Sequence, residues 1–191
     1  MVPFKPPRLL TQAYKVKLKI KLLYVFLLDV VACSRHFEKM DFELVNYMEY
    51  ALHSAEIAGN RGEVPVGAVV VDSKTGRIVA TNGNQMLGRH DPTAHAEMLA
   101  IRAATNMVGS QRLVDCDLYV TLEPCPMCAA AISLARIRRL YFGAFDPKGG
   151  GVEHGPRIYD HSTCNHKPEV YGGIGEKAAA ELLKSFFVSR R

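Results

Sequence analysis

Residues 118–144 read LYVTLEPCPMCAAAISLARIRRLYFGA: a short apolar run, a turn carrying Pro and Cys, an alanine-rich segment, and a second apolar run. Leu118–Leu122 has the length and apolar character of a strand, Pro124 opens a helix expected to reach about Ala135, and Arg139–Ala144 returns as a strand. The same alternation extends outward. Upstream, Val45, Met48, Leu52 and Ala55 recur at helical spacing, with Gly59 or Gly62 as the stop. Val66–Asp72 and Arg77–Thr81 read as strands joined by the turn Ser73-Lys74-Thr75-Gly76. Asp91-Pro92-Thr93 reads as a helix start, with the helix running from Ala94 to about Met107. Downstream, residues 145–168 form a Gly-, His- and Pro-rich loop, Val170-Tyr171 a short strand, and Gly175–Arg191 a closing helix with a basic last turn. Strands alternating with helices imply an α/β domain, a sheet sandwiched between helices.

The rest of the composition narrows the class. The 191 residues suffice for one globular domain, and apolar and charged fractions of 48% and 23% are those of an ordinary folded chain. Five Cys is an odd count that suits a metal site or free thiols better than a disulfide framework. No apolar run reaches the roughly 20 residues of a membrane span, so the expected protein is soluble, with no membrane partner. The formal charge of +5 is unevenly spread. Residues 1–39 hold eight Lys or Arg against Asp29 and Glu38, a balance of +6, whereas residues 40–191 hold 16 against 17, a balance of −1. A basic pI here describes the leader, and any nucleic-acid surface on the domain has to be local.

Residues 1–39 are therefore read apart from a domain at 40–191. Lys15–Lys21 followed by Leu22–Leu28 and Cys33 has the order of a secretory or lipoprotein leader, but Asp29 interrupts an already short apolar run. An organelle-targeting segment is an alternative. The plainer expectation is a disordered basic extension or a misplaced start, since Met40 opens the globular pattern directly.

Two segments carry chemistry: Thr93-Ala94-His95-Ala96-Glu97 and Pro124-Cys125-Pro126-Met127-Cys128. Cys125 and Cys128 are three apart in the first turn of a helix, so their thiols face the same way. The helix N-terminus favours thiolates there. With His95 they make a three-ligand set that leaves a fourth position open, as in catalytic zinc sites. Glu97 lies about 200° around from His95 if the turn is helical, which suits a proton carrier beside bound water better than a fourth ligand. Taken singly, Cys-x-x-Cys also fits a redox pair or half a zinc knuckle, and His-x-Glu an accident of helix capping.

Together, in this order, the two segments match the zinc deaminase signature, His-x-Glu followed by Pro-Cys-x-x-Cys. That resemblance implies hydrolytic deamination of an aminated heterocycle, with zinc-bound hydroxide as nucleophile and Glu97 as proton shuttle. From Met40 onward the chain resembles the bacterial tRNA-specific adenosine deaminases. The resemblance rests on Glu63–Ala68, Gly88–Glu97, Tyr119–Cys125, Phe142-Gly143-Ala144 with Asp146, Asn165-His166, Phe186-Phe187 and Arg190-Arg191. It implies a cytidine-deaminase-like three-layer α-β-α sandwich around a mixed five-stranded sheet, and conversion of the wobble adenosine of an arginine tRNA to inosine.

Carried over residue by residue, the resemblance assigns one Zn2+ per subunit to His95, Cys125 and Cys128 and proton transfer to Glu97. It sets Asn84 against the target base and Asp146 beside the RNA backbone; Arg190 and Arg191 are candidate substrate contacts on charge alone, each equally a solvated surface charge. It also implies a cytoplasmic homodimer binding a tRNA anticodon stem-loop. On the residues alone, Asn84 and Asp146 equally fit turns. A carboxylate beside RNA can accept from a 2′-OH. Arg136, Arg138, Arg139, Lys148 and Lys167 are further phosphate candidates, each equally a solvated surface charge. Cys164, between His161 and His166, is read as part of a loop at the substrate entrance.

Two rivals stay open. Pro126-Met127 also occurs in guanine deaminases, so a free-base deaminase is one; a non-catalytic, zinc-folded RNA-binding subunit is the other. Glu97 argues against the latter, which needs the metal but no proton carrier.

Overall fold

The computed structural model describes residues 46–190; the proposed leader 1–39, its boundary at Met40, and Arg191 lie outside the described residues. Helix α1 spans Tyr47–Asn60, strand β1 Gly67–Asp72 and strand β2 Ile78–Gly83. A single helical turn α2 (Met86–Arg89) leads to helix α3 (Ala96–Val108). Strand β3 (Cys116–Leu122), helix α4 (Pro126–Leu134) and strand β4 (Arg139–Ala144) follow, then β5 (Glu169–Tyr171) and helix α5 (Glu176–Val188).

The strands form one mixed sheet in the order β2-β1-β3-β4-β5. β1 is antiparallel to β2 and β3, while β3/β4 and β4/β5 are parallel. The expected mixed five-stranded sheet is present. Alternation along β1 explains the layers: Val69 and Val71 pack with Met48 and Ala51 of α1, while Ala68 and Val70 join the larger core. That core also takes Ala96, Ala100 and Ala104 of α3 and Ala129 and Ile132 of α4. Among the described residues no helix is long and apolar enough to cross a membrane.

Three element boundaries differ from the sequence reading, each for a local reason. The Asp91-Pro92-Thr93 segment is a turn and not a helix start, because the Asp91 carboxylate accepts from the Thr93 N–H and hydroxyl at 2.8 and 2.7 Å. Helix α3 begins only at Ala96 and ends on Gly109, whose φ of 70° is the left-handed cap. Helix α4 starts at Pro126, with Cys125 as its N-cap, so Pro124 stands outside. Helix α5 stops at Val188, which leaves Arg190 beyond its last turn.

Gly67 marks the closest approach of helix to sheet. A Cβ there would stand 2.0 Å from the Ala51 carbonyl oxygen and 2.6 Å from the Ala55 nitrogen. Gly67→Ala is expected to lower stability by about 1–3 kcal/mol or more through overpacking. Gly109→Ala, where a Cβ meets nothing within 4 Å, is expected to lose only about 1 kcal/mol, from its left-handed backbone. Denaturant titration of the two variants measures the contrast; equal losses would contradict the α1–β1 contact.

Candidate active site

The N-termini of α3 and α4 converge. His95 is the N-cap of α3 and Cys125 the N-cap of α4, both in extended backbone, and their carbonyls accept the first helical bonds from Leu99 and Ala129. Neither side chain caps its own helix. His95 Nδ1 instead lies 3.7 Å from Cys125 Sγ and 3.5 Å from Cys128 Sγ. All three ligand atoms lie within 4.8 Å of one another, and they are the group among the described residues placed to hold a metal ion. A tetrahedral zinc with ordinary Zn–N and Zn–S bonds needs ligand edges of roughly 3.5–3.8 Å. The donor set and its spacing fit zinc.

Electrostatics agree with that fit. A hydrogen bond from Cys128, reinforced by His95, holds the Cys125 thiol down to about 4 despite partial burial. Cys128 is pushed far above the ordinary thiol range by that same bond and by burial. His95 is raised, chiefly by its bond with Cys125. The three groups thus share protons around one anionic sulfur at the mouths of two helix dipoles, where a divalent cation displaces the protons and leaves two thiolates.

Glu97 sits in the first turn of α3 and is 3% exposed. Its Oε2 is buried without a hydrogen-bond partner, and burial raises its pKa above the ordinary carboxylate value. Asn84 is 4% exposed and follows the end of β2. Its Oδ1 accepts from the Ala96 N–H at 2.8 Å, supplying the cap that His95 does not. The strand-end residue therefore adjoins both His95 and Glu97 through one bond.

The other sequence candidates are more dispersed. Asp146 Oδ1 accepts from the Lys148 and Gly149 N–H groups, a turn just past β4. Arg190 lies over the Phe186 ring at 4.1 Å, with no described contact to the ligand cluster. Two phosphate candidates are already compensated: Arg138 forms a two-pronged pair with Asp117 at 2.8 and 2.6 Å, and Arg139 pairs with Glu169 at 2.7 Å. Arg136 donates to the Asn165 carbonyl, and Lys148 and Lys167 are exposed. Cys164 bonds to Ser133 and to the His166 carbonyl, within a loop lining a cavity of about 570 Å³.

Two buried carboxylates, Glu63 and Glu123, stand in the sequence only as part of the resembling stretches, with no role assigned. Glu63 accepts from the Leu87 and Gly88 N–H groups at 3.1 and 2.8 Å and caps α2. Glu123, 2% exposed, gathers donors from the loop after β4. Burial pushes Glu123 up, but the surrounding N–H groups more than offset this and hold it below the ordinary value. Neither shows in periodicity, because the partners are backbone groups remote in sequence.

Residues 43–144 match the family described as the cytidine and deoxycytidylate deaminase zinc-binding region. A tRNA-specific adenosine deaminase of Agrobacterium fabrum is 54% identical over 149 residues, covering 78% of this chain and 97% of that protein. The Bacillus subtilis enzyme of the same name is 43% identical, covering 74% and 86%. A solved structure from work on A-to-I editing by tRNA:A34 deaminases is 57% identical, with a TM-score of 0.69 over 71% of this chain and 97% of the other. A Nitrosomonas europaea guanine deaminase structure, 22% identical with a TM-score of 0.65, shares the fold. Elemental analysis is expected to find one zinc per chain and almost none after His95→Ala or Cys128→Ala, while chelation lowers the melting temperature. Full zinc content in either variant would contradict the ligand set. On identity and coverage, the chain belongs to the tRNA-specific adenosine deaminases, within the cytidine and deoxycytidylate deaminase zinc-binding family.

Proposed function

We propose that this protein hydrolyses adenosine to inosine at the wobble position of a tRNA, arginine tRNA being the expected substrate, with release of ammonia. The observation that carries this reading is Glu97: a buried carboxylate with one unpartnered oxygen, two residues from His95, next to a three-ligand set with room for a fourth. A purely structural zinc site has four protein ligands and needs no such acid. The similarity to tRNA-specific adenosine deaminases supports the choice of RNA over a free base.

His95, Cys125 and Cys128 hold zinc in this reading, and zinc supplies its usual chemistry, a water whose pKa falls from 15.7 toward about 7. Glu97 takes one proton from the attacking water at its free Oε2 and passes it to a ring nitrogen as the C–O bond forms. It then takes the second proton from the added hydroxyl and delivers it to the amino group, which leaves as ammonia as the C–N bond breaks. Its pKa, raised by burial, suits a group that both takes and gives protons. Asn84 has committed Oδ1 to Ala96, so its Nδ2 is the end available to a base. Asp146 accepts from a ribose 2′-OH, and Arg190 and Arg191, with Arg136, Lys148 and Lys167, contact phosphates. An unpaired anticodon loop releases its base into such a pocket without duplex melting. The active form is a cytoplasmic homodimer.

Glu97→Gln is expected to lower inosine formation by at least about 10²–10⁴-fold while zinc content is unchanged. Retained turnover would sink the proposed mechanism. Purified protein tested on arginine tRNA, adenosine and guanine is expected to give inosine at the wobble position alone; guanine deamination with untouched tRNA would transfer the function to the free-base reading. Sedimentation equilibrium is expected to return twice the chain mass.

A further inference from the structure

Parallel strands need a long crossover, normally a helix. Between β4 and β5 the chain instead uses the loop 145–168, with one short 3₁₀ turn at Ile158–Asp160. A loop of that length leaves many backbone N–H groups to satisfy. The Glu123 carboxylate satisfies four of them. Its Oε1 accepts from Val152, Glu153 and His154 N–H at 3.3, 2.9 and 2.9 Å. Its Oε2 accepts from Asp146 N–H at 3.0 Å and contacts His154 Nδ1 at 2.7 Å.

The same loop is pressed onto the turn that presents Cys125. Gly151 N–H donates to the Pro124 carbonyl at 2.9 Å, and a Cβ on Gly151 would stand 2.6 Å from the Pro126 nitrogen. A Cβ on Gly150 would come within 2.5 Å of Glu123 Oε1 itself. One buried side chain, two residues before a metal ligand, thus holds Asp146 at one end of a loop and His154 at the other.

We propose that Glu123 is a positioning residue for the RNA substrate, resting on the function proposed above. It fixes residues 146–154, and Asp146 with them, against the Cys125 turn before substrate arrives. The loop then pays no ordering entropy on binding, which would otherwise be drawn from affinity. A glutamine at this position keeps the volume but turns an –NH2 toward the Asp146 N–H and the His154 ring, so donors face a donor.

The test uses the full-length zinc protein. In Glu123→Gln, amide exchange at residues 146 and 152–154 is expected to speed up about tenfold, the scale of one lost charge-assisted hydrogen bond, with β3 amides unchanged. On an arginine tRNA anticodon stem-loop, KM is expected to rise by a similar factor, kcat to stay within about twofold, and zinc content to stay at one. Unaltered loop exchange, or a fall in kcat at constant KM, overturns the proposal. If Glu123→Gln does not fold, Glu123→Asp keeps the charge but draws the carboxylate back from these amides by one methylene. It is expected to give the same pattern at smaller amplitude, and no change there is equally fatal. Exchange needs no substrate, so a wild type that makes no inosine refutes the function while the loop amides still decide whether Glu123 fixes the loop.

Discussion

The 3.5 and 3.7 Å contacts between His95 Nδ1 and the two sulfurs set the terms for everything around them. They require two helix N-termini from different parts of the sheet to meet within one coordination sphere. Alanines make this possible: Ala96, Ala100 and Ala129 are wholly buried and keep α3 and α4 close to the strands beneath. Because both ligand residues at the helix ends are N-caps with free side chains, each helix presents a ligand and its positive dipole end together. The caps those residues do not provide come from elsewhere, Asn84 for α3 being the clear case.

Three buried glutamates illustrate how surroundings assign roles to one side-chain type. Glu63 and Glu123 are saturated with backbone N–H groups, each anchoring a segment that would otherwise have unpaired donors. Glu97 is as deeply buried, yet one oxygen has no partner. An unsatisfied buried carboxylate lowers stability, which sets Glu97 apart from the other two and is the reason the proposed mechanism turns on it. The geometric contrast is sharper than any difference in sequence, where all three are Glu beside small or apolar residues.

Surface charge follows a similar logic. The described domain has no excess of positive charge to spread over an RNA, and two of its arginines are already spent on internal pairs with Asp117 and Glu169 at neighbouring strands. Those pairs lie beside the parallel β3/β4 and β4/β5 registers, where Asp117 faces Arg139 and Arg139 faces Glu169. They belong to sheet assembly.

The α/β alternation, the five strands to within two residues at most ends, and the two motifs carrying His95, Cys125 and Cys128 are legible in the chain alone. The elements follow from short-range periodicities of 2 and 3.6, whereas the ligand set follows from two separate motifs read together, since the i, i+3 cysteines alone fit other roles. The start of α3 is not legible there, because an Asp91 side chain competes locally with the helix. It takes the folded chain to show that Asn84 caps α3 beside Glu97, that Glu123 gathers amides about 30 residues downstream, and that Arg138 is paired. Those contacts join groups distant in sequence, and their partners are set by strand order and register, which no local pattern encodes.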